Sequence, residues 1–355
     1  MVKNTDILFR TAQLACLADS RVLDNPRVGA ILMHEGKVIG EGYHHQAGEA
    51  HAEVNCMASV KEEDRPLIPE STLFVSLEPC CIKGRTPACT GLILKEKVRK
   101  VVFAQRDTTD EVSGRGAAIL REAGVRVKEY PDFLPTELTN MNRMIYTTEQ
   151  RPFILLKYAR SADGFLRPKD RGKKYWITND ISRRLVHRWR TTTNAVIVGA
   201  RTVIEDEPKL DSRFFPGPDP RPVILDLHDR LSGREKIFTS DGQRPLVFTG
   251  RRPAKMKADT VEIKEKDLNK KALKKIVRKL HDLKYSHVTV EGGATTLEAF
   301  LSKGLWDEAR VFTGAARFGN GLIAPSLPAS ARLLSSEMIG TDRLEIFRPS
   351  QVDKR

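Results

Sequence analysis

The chain lacks most of what would tie it to a membrane, a secreted scaffold or a stacked nucleic acid. Aromatic residues make up only 6% of its 355 positions, leaving few side chains to stack on bases. No apolar run approaches the roughly 20 residues of a membrane-spanning helix. Residues 1–6 lead straight into an amphipathic pattern, with no charged-then-apolar leader. Cysteine appears five times, an odd count that argues against a disulfide framework. The G-x-G-x-x-G dinucleotide fingerprint is also missing. These absences predict a soluble, reduced, cytoplasmic protein with no membrane partner, and the length predicts two domains.

Charge is present but uneven. Residues 1–150 hold 19 Lys and Arg against 21 Asp and Glu, whereas residues 151–355 hold 41 against 25. Within 251–280 the balance is 12 basic to 4 acidic. A basic protein raises a nucleic-acid hypothesis, but the slightly acidic first half argues against a polyanion lying across a site there. In 267–283, Leu268, Leu273, Ile276, Val277, Leu280 and Leu283 recur at helical spacing, which puts most of the lysines on a solvated face.

The most informative residues are His51-Ala52-Glu53, then Pro79-Cys80, then Cys89. One histidine and two cysteines suit Zn²⁺, which with three protein ligands keeps a fourth position for water. The metal lowers that water's pKa from ~16 toward about 7. Glu53 is placed to move the water's proton to a ring nitrogen and a departing amine. This is the H-x-E…P-C pattern of zinc deaminases, with the second cysteine nine positions after the first. Cys80 or Cys81 can each be the first ligand; Cys80 is chosen because it directly follows Pro79. Cys16, Cys56 and Cys81 read as apolar thiols.

Hydrophobic periodicity predicts a first domain of alternating elements. Helices are expected over 6–19, 51–60, 89–95 and 116–123, and strands over 29–34, 37–43, 72–77, 100–104 and 125–130. His51 and Cys89 then open helices and Cys80 follows a strand end, as at the carboxyl edge of an α/β sheet. Helical positions 51 and 53 are expected to point in different directions. A connector over 131–152 carries a short helix, 136–146. The second domain reads as strands 153–159, 195–199, 222–227, 245–249 and 287–290, with a helix at 180–190 and another reaching Leu301. The strand-to-helix turn Glu291-Gly292-Gly293 offers backbone N–H groups to a phosphate.

These residues resemble the bifunctional deaminase/reductase family of riboflavin biosynthesis over nearly the whole chain. The first half carries Asn25-Pro26-Arg27-Val28-Gly29, Gly40-Glu41-Gly42-Tyr43-His44, His51-Ala52-Glu53-Val54 and Leu77-Glu78-Pro79-Cys80 through Gly84-Arg85-Thr86-Pro87-Ala88-Cys89. The second half carries Leu156-Lys157, Ser161-Ala162-Asp163-Gly164, Trp176-Ile177-Thr178, Val198-Gly199, Thr202, Asp206-Glu207-Pro208 with Leu210, and Val290-Glu291-Gly292-Gly293.

The resemblance implies a cytidine-deaminase-like three-layer α/β/α domain over 1–147 and a dihydrofolate-reductase-like α/β domain over 148–355. It implies Zn²⁺ on His51, Cys80 and Cys89, Glu53 as catalytic residue, and deamination of 2,5-diamino-6-(5-phosphoribosylamino)pyrimidin-4-one. Reduction of the ribosyl group to ribityl with NADPH would follow. Asn25, His44 and Asp107 would contact the pyrimidine or ribose phosphate, with Arg85 or Lys83 near the phosphate. Arg160, Trp176, Thr202, Asp206 and the turn Gly293, Ala294, Thr295, Thr296, Leu297 would hold NADPH. Lys157, Lys174, Arg190, Leu210, Arg213 and Glu291 would hold the ribosylaminopyrimidine, with Lys157 or Asp206 assisting ring opening. The partner is thus a phosphorylated pyrimidine rather than nucleic acid, and a homo-oligomer, dimer or tetramer, is expected.

Three departures stand out. The family commonly has a His-bearing triplet after the first cysteine, where this chain reads Cys81-Ile82-Lys83. It usually continues Pro-Asn-Pro after the aspartate, where this chain reads Thr108-Thr109-Asp110. Lys174 takes the place of a substrate-contacting serine. Two other readings are a zinc nucleic-acid base deaminase with an accessory binding domain and a zinc protein with a non-catalytic binding module. Cofactor oxidation separates them from the bifunctional enzyme.

Overall fold

A computed structural model describes residues 3–82, 87–109, 111–131, 133–170, 175–239, 241–251 and 256–350. The chain divides into two compact units, Met1–Gln150 and Arg151–Arg355.

The first unit contains α1 (Asn4–Ala15), β1 (Gly29–His34), β2 (Lys37–Tyr43), α2 (Ala52–Ala58), a 3-10 segment (Glu62–Glu70), β3 (Thr72–Leu77), α3 (Cys89–Lys95), β4 (Lys100–Gln105), α4 (Arg115–Glu122), β5 (Arg126–Glu129) and α5 (Leu134–Thr148). Its sheet runs β2-β1-β3-β4-β5. β1 is antiparallel to β2 and β3, and β3, β4 and β5 are parallel. Successive strand residues point to opposite faces, so one sheet feeds two cores. Ala30, Leu32, Val75 and Phe103 pack with Cys56, Ile93 and Leu120 of the helices on one side. Ile31, Phe74 and Val102 pack with Leu8 and Leu14 of α1 on the other. α2 lies directly on β2 because Gly42 leaves room, since a Cβ there would sit 2.5 Å from the Cys56 nitrogen.

The second unit contains β6 (Phe153–Arg160), β7 (Phe165–Pro168), α6 (Asp180–Thr191), β8 (Ala195–Gly199), α7 (Ala200–Asp206), β9 (Arg221–Asp226), α8 (Lys236–Thr239), β10 (Leu246–Thr249), β11 (Asp259–Glu262), α9 (Lys270–Asp282), β12 (His287–Gly292), α10 (Ala294–Ser302), β13 (Glu308–Thr313), β14 (Gly321–Ile323), β15 (Arg332–Ile339) and β16 (Asp342–Arg348). The main sheet runs β11-β10-β9-β8-β12-β6-β13-β16-β15, and β7 and β14 form a separate ribbon. The strands from β11 to β13 are parallel, and β16 and β15 close the edge antiparallel. Two cores again flank the sheet. The central strands are therefore nearly all apolar, as in Ile154-Leu155-Leu156 and Ala195–Val198, rather than alternating.

Strands β1, β2, β3 and β8 and helix α3 have the bounds expected from periodicity. α9 buries Leu273, Ile276, Val277 and Leu280 and is capped by Asn269, whose side chain accepts from Lys271 and Ala272 at 3.0 Å. Other elements differ. α1 stops at Ala15 instead of residue 19, and His51 is the extended N-cap of α2 (φ −71°, ψ 166°) rather than its first helical residue. The strands after α10 escape the sequence reading; β15 is largely exposed and shows no alternation to detect.

Candidate active sites

In the first unit, the end of β3 and the starts of α2 and α3 bring three ligand types together. His51 Nδ1 lies 3.3 Å from Cys89 Sγ and 3.5 Å from Cys80 Sγ, and the three ligand atoms fall within 4.8 Å of one another. Tetrahedral zinc needs ligand atoms about 3.5–3.8 Å apart, so the donor set fits the ion in chemistry and spacing. The sulfurs also compete. Hydrogen bonds from Cys89 and His51 pull the Cys80 thiol down to about 4, and Cys80 in turn drives Cys89 up. Two thiols this close cannot both ionise unless a cation sits between them. Cys81 stands apart, its sulfur directed to the Glu111 carbonyl at 3.7 Å.

Glu53 is 3% exposed, and burial followed by the nearby Cys80 raises its pKa. Its carboxyl reaches Cys89, so His51 and Glu53 converge on one cluster instead of diverging. The expected divergence assumed both residues were helical; His51, with extended backbone, escapes that rule.

His44 is 3% exposed. Its Nδ1 is 3.0 Å from the Ala50 carbonyl and its Nε2 is 3.1 Å from Asn25 Nδ2. A neutral ring donating to Ala50 and accepting from Asn25 satisfies both contacts, and burial lowers the His44 pKa accordingly. The His44 and His51 rings meet edge-on at 5.5 Å between centroids, so Asn25 and His44 adjoin the cluster. Asp107 sits just beyond β4, where its Oδ1 accepts from the Thr109 N–H at 2.8 Å. Lys83, Arg85 and Lys174 lie outside the described residues.

The sequence reading gave no role to Glu78. This buried carboxylate accepts from Gly114 N (2.9 Å) and Ala117 N (3.0 Å), and so ties the Glu78-Pro79-Cys80 segment to the start of α4. Nothing in its residue type marks such a contact.

In the second unit, Arg190 and Glu291 form a bidentate pair at 2.8 Å for both bonds, with Lys157 Nζ 3.7 Å from Glu291. Burial works to raise the Glu291 pKa, but Arg190 and Lys157 overcome it and hold the group at about 2. Burial lowers the Lys157 pKa, with Glu291 opposing. Asp206, by contrast, is exposed at the end of α7.

Gly293 opens α10 with φ +80°, a left-handed conformation natural to glycine. A Cβ there would lie 3.3 Å from Thr202 Oγ1 and 3.4 Å from Thr296 Oγ1. Bare backbone, two hydroxyls and a helix start make a cradle that fits an anionic cofactor phosphate. Ala294 is half-buried and Thr295 exposed beside it. Leu297 and Leu210 face the cores, so any ligand contact from them falls to their backbone. Arg160 bonds Thr313 and Glu345, Trp176 is 63% exposed beneath the Arg183 guanidinium, and Arg213 pairs with Asp211.

Fold and site together define a two-unit α/β protein whose first unit carries a deaminase-type zinc site. Residues 3–105 match the cytidine and deoxycytidylate deaminase zinc-binding region, and residues 152–344 match the RibD C-terminal domain. Among relatives, the riboflavin biosynthesis protein RibD of Aquifex aeolicus is 37% identical over 304 residues, covering 84% of this chain and 83% of that protein. The RibD of Escherichia coli is 29% identical, covering 83% of each. The crystal structure of the Thermotoga maritima diaminohydroxyphosphoribosylaminopyrimidine deaminase/5-amino-6-(5-phosphoribosylamino)uracil reductase superposes with a TM-score of 0.88 at 32% identity, covering 98% of both chains. This chain belongs to the RibD family of riboflavin biosynthesis proteins, the family its motifs resemble. Its architecture is a cytidine-deaminase-like unit followed by an α/β RibD reductase unit. Among the described residues no helix is long and apolar enough to cross a membrane.

Proposed function

We propose that the chain catalyses two successive steps of riboflavin biosynthesis. It deaminates 2,5-diamino-6-(5-phosphoribosylamino)pyrimidin-4-one and then reduces the ribosyl side chain to give 5-amino-6-(5-phosphoribitylamino)uracil. The observation that carries this reading is the His51, Cys80 and Cys89 cluster with buried Glu53, in a chain whose remainder is a RibD reductase unit.

In the first unit, His51, Cys80 and Cys89 hold zinc, which when bound acidifies water at neutral pH. Burial and the nearby Cys80 raise the Glu53 pKa, which makes its carboxylate a stronger base. The carboxylate takes one proton from the attacking water and passes it to the ring nitrogen, then takes the second from the newly formed hydroxyl and passes it to the amine that leaves as ammonia. Neutral His44, fixed by Ala50, and Asn25 offer polar edges that orient the pyrimidine, with Asp107 on the β4 side. Arg85 is assigned to the substrate phosphate.

In the second unit, Gly293, Ala294, Thr295, Thr296 and the Leu297 backbone, with Thr202, Asp206, Arg160 and Trp176, hold NADPH, which supplies hydride. Arg190, Glu291, Lys157, Lys174, Leu210 and Arg213 hold the ribosylaminopyrimidine. Lys157 is favoured over Asp206 as the proton donor for sugar-ring opening. It is buried beside Glu291 with a lowered pKa, whereas Asp206 is exposed. The deaminase is assigned to Met1–Gln150 and the reductase to Arg151–Arg355, three residues beyond the expected boundary, both acting in the cytoplasm. A homo-oligomer is supported by edge strand β15, which exposes Leu333, Leu334 and Met338; light scattering on the purified chain tests it.

The decisive assay supplies the diaminopyrimidine phosphate and follows ammonia release and NADPH loss separately. Absence of both in a folded, zinc-loaded protein rejects the reading.

A further inference from the structure

We propose that Arg143, assisted by Asn140, is a positioning residue for deamination, and that α5 is a substrate-selecting wall of the first unit rather than a connector. The inference rests on the deaminase reading above. α5 falls between the two family matches, which cover 3–105 and 152–344, so neither assigns it a role. Its side chains nevertheless grip both loops that carry the candidate pyrimidine contacts.

On one side, Arg143 Nη1 donates to the Asp24 carbonyl at 2.6 Å, and Asn140 Oδ1 accepts from the Arg27 N–H at 2.9 Å. These two bonds bracket Asn25. On the other side, Arg143 Nη2 donates to Thr109 Oγ1 at 3.1 Å, and Thr109 itself donates its N–H to Asp107. One planar guanidinium thus spans the Asn25 turn and the Asp107 loop, in a fixed geometry that a flexible ammonium does not reproduce. The second anchor uses a hydroxyl from Thr108-Thr109-Asp110, where this chain departs from the family's usual Pro-Asn-Pro. The Thr108 hydroxyl also meets Thr147 of α5, at 2.8 Å.

A second observation is independent of those bonds. Gln105 Oε1, Asn140 Nδ2 and Arg143 Nε are buried polar atoms without a hydrogen-bond partner among the described residues. All three residues line one crevice together with Asp107. Gln105 is 8% exposed and Asn140 2% exposed. Buried polar atoms are almost always paired, so an acceptor and two donors left unpaired beside Asp107 mark a place where a water, or a polar ligand group displacing it, completes the wall.

The test uses the full-length, zinc-loaded chain with two substitutions. Arg143→Lys keeps the charge but removes the fork; Thr109→Val removes only the acceptor at one end. The expected result is a KM for the diaminopyrimidine phosphate raised about 10-fold in Arg143→Lys and about 3-fold in Thr109→Val. In both, kcat should change less than about 3-fold, with zinc content and reductase kinetics unchanged. A fall in kcat together with zinc loss at constant KM in Thr109→Val overturns the proposal, because it describes a general structural role. Kinetics indistinguishable from the parent in both variants also overturn it. If Arg143→Lys fails to fold, Thr109→Val decides alone. A parent chain that releases no ammonia refutes the deaminase reading itself; a parent that deaminates beside variants that match it refutes the positioning role alone.

Discussion

Removing the Glu78 carboxylate should loosen the metal centre from a distance, and the size of the effect follows from two hydrogen bonds. α4 begins after Gly114, which has φ +76° and no side chain to cap the helix. Its N-terminal N–H groups depend on Glu78, whose oxygens accept from Gly114 and Ala117 at 2.9 and 3.0 Å. In Glu78→Ala two donors lose a charged acceptor in a buried setting, at about 1–3 kcal/mol each, and the helix start loses a neighbouring anion worth about 0.5–1 kcal/mol. A loss of about 4 kcal/mol follows, or roughly 8–16 °C in the melting of a unit this size. Glu78→Gln keeps one acceptor and turns an amide NH₂ toward the other N–H, so about 2 kcal/mol and roughly 4–8 °C are expected. Cys80 lies two residues further on, and its carbonyl accepts from Thr90 at the start of α3. A slackened Glu78-Pro79-Cys80 segment should therefore also release zinc more readily. Differential scanning calorimetry of the zinc-loaded chain, together with competition by a chromogenic chelator, reads both effects. A Glu78→Ala protein that melts within about 2 °C of the parent and holds zinc equally well would refute the capping argument.

Elemental analysis should find one zinc per chain, retained in Cys81→Ala and lost in Cys80→Ala and Cys89→Ala; the opposite pattern for Cys80 and Cys81 reassigns the ligand. Glu53→Ala should cut ammonia release by about 10²–10⁴-fold while NADPH oxidation of already deaminated substrate is unchanged; loss of both in a folded chain would show that the two sites are not independent. Gly293→Val places a β-branched residue at φ +80° and brings a Cβ within 3.3 Å of the Thr202 hydroxyl, so the KM for NADPH should rise with deamination untouched, and an unchanged KM rejects the cradle. Acid unfolding should report Glu291: its carboxyl moves from the ordinary 4.5 down to about 2 on folding, a contribution of about 3 kcal/mol. That contribution is fully present above pH 4.5 and lost as pH falls toward 2, so urea titrations across this window should be flatter for Glu291→Gln than for the parent.

What could be read from sequence follows how tightly chemistry restricts residue choice. Zinc admits few ligand types, so His51, Cys80 and Cys89 stood out, and the structure brings their ligand atoms within 4.8 Å. Apolar periodicity similarly located the inner strands, because a strand buried on both faces tolerates little but Val, Ile, Leu and Ala. Legibility failed where a role depends on the partner rather than the residue. Glu78 meets α4 36 and 39 positions away, and Arg143 meets Asp24 119 positions away. A glutamate or an arginine in a helical or loop context has many ordinary uses, and no spacing rule connects residues so far apart. The same logic explains the one misjudged geometry. The H-x-E spacing sets His51 beside Glu53, but where each side chain points depends on whether residue 51 is the first helical residue or the cap, a one-residue difference in the helix start that periodicity does not fix. Residues that bear chemistry are therefore legible by type, whereas those that hold them in place become visible only once the chain has folded around them.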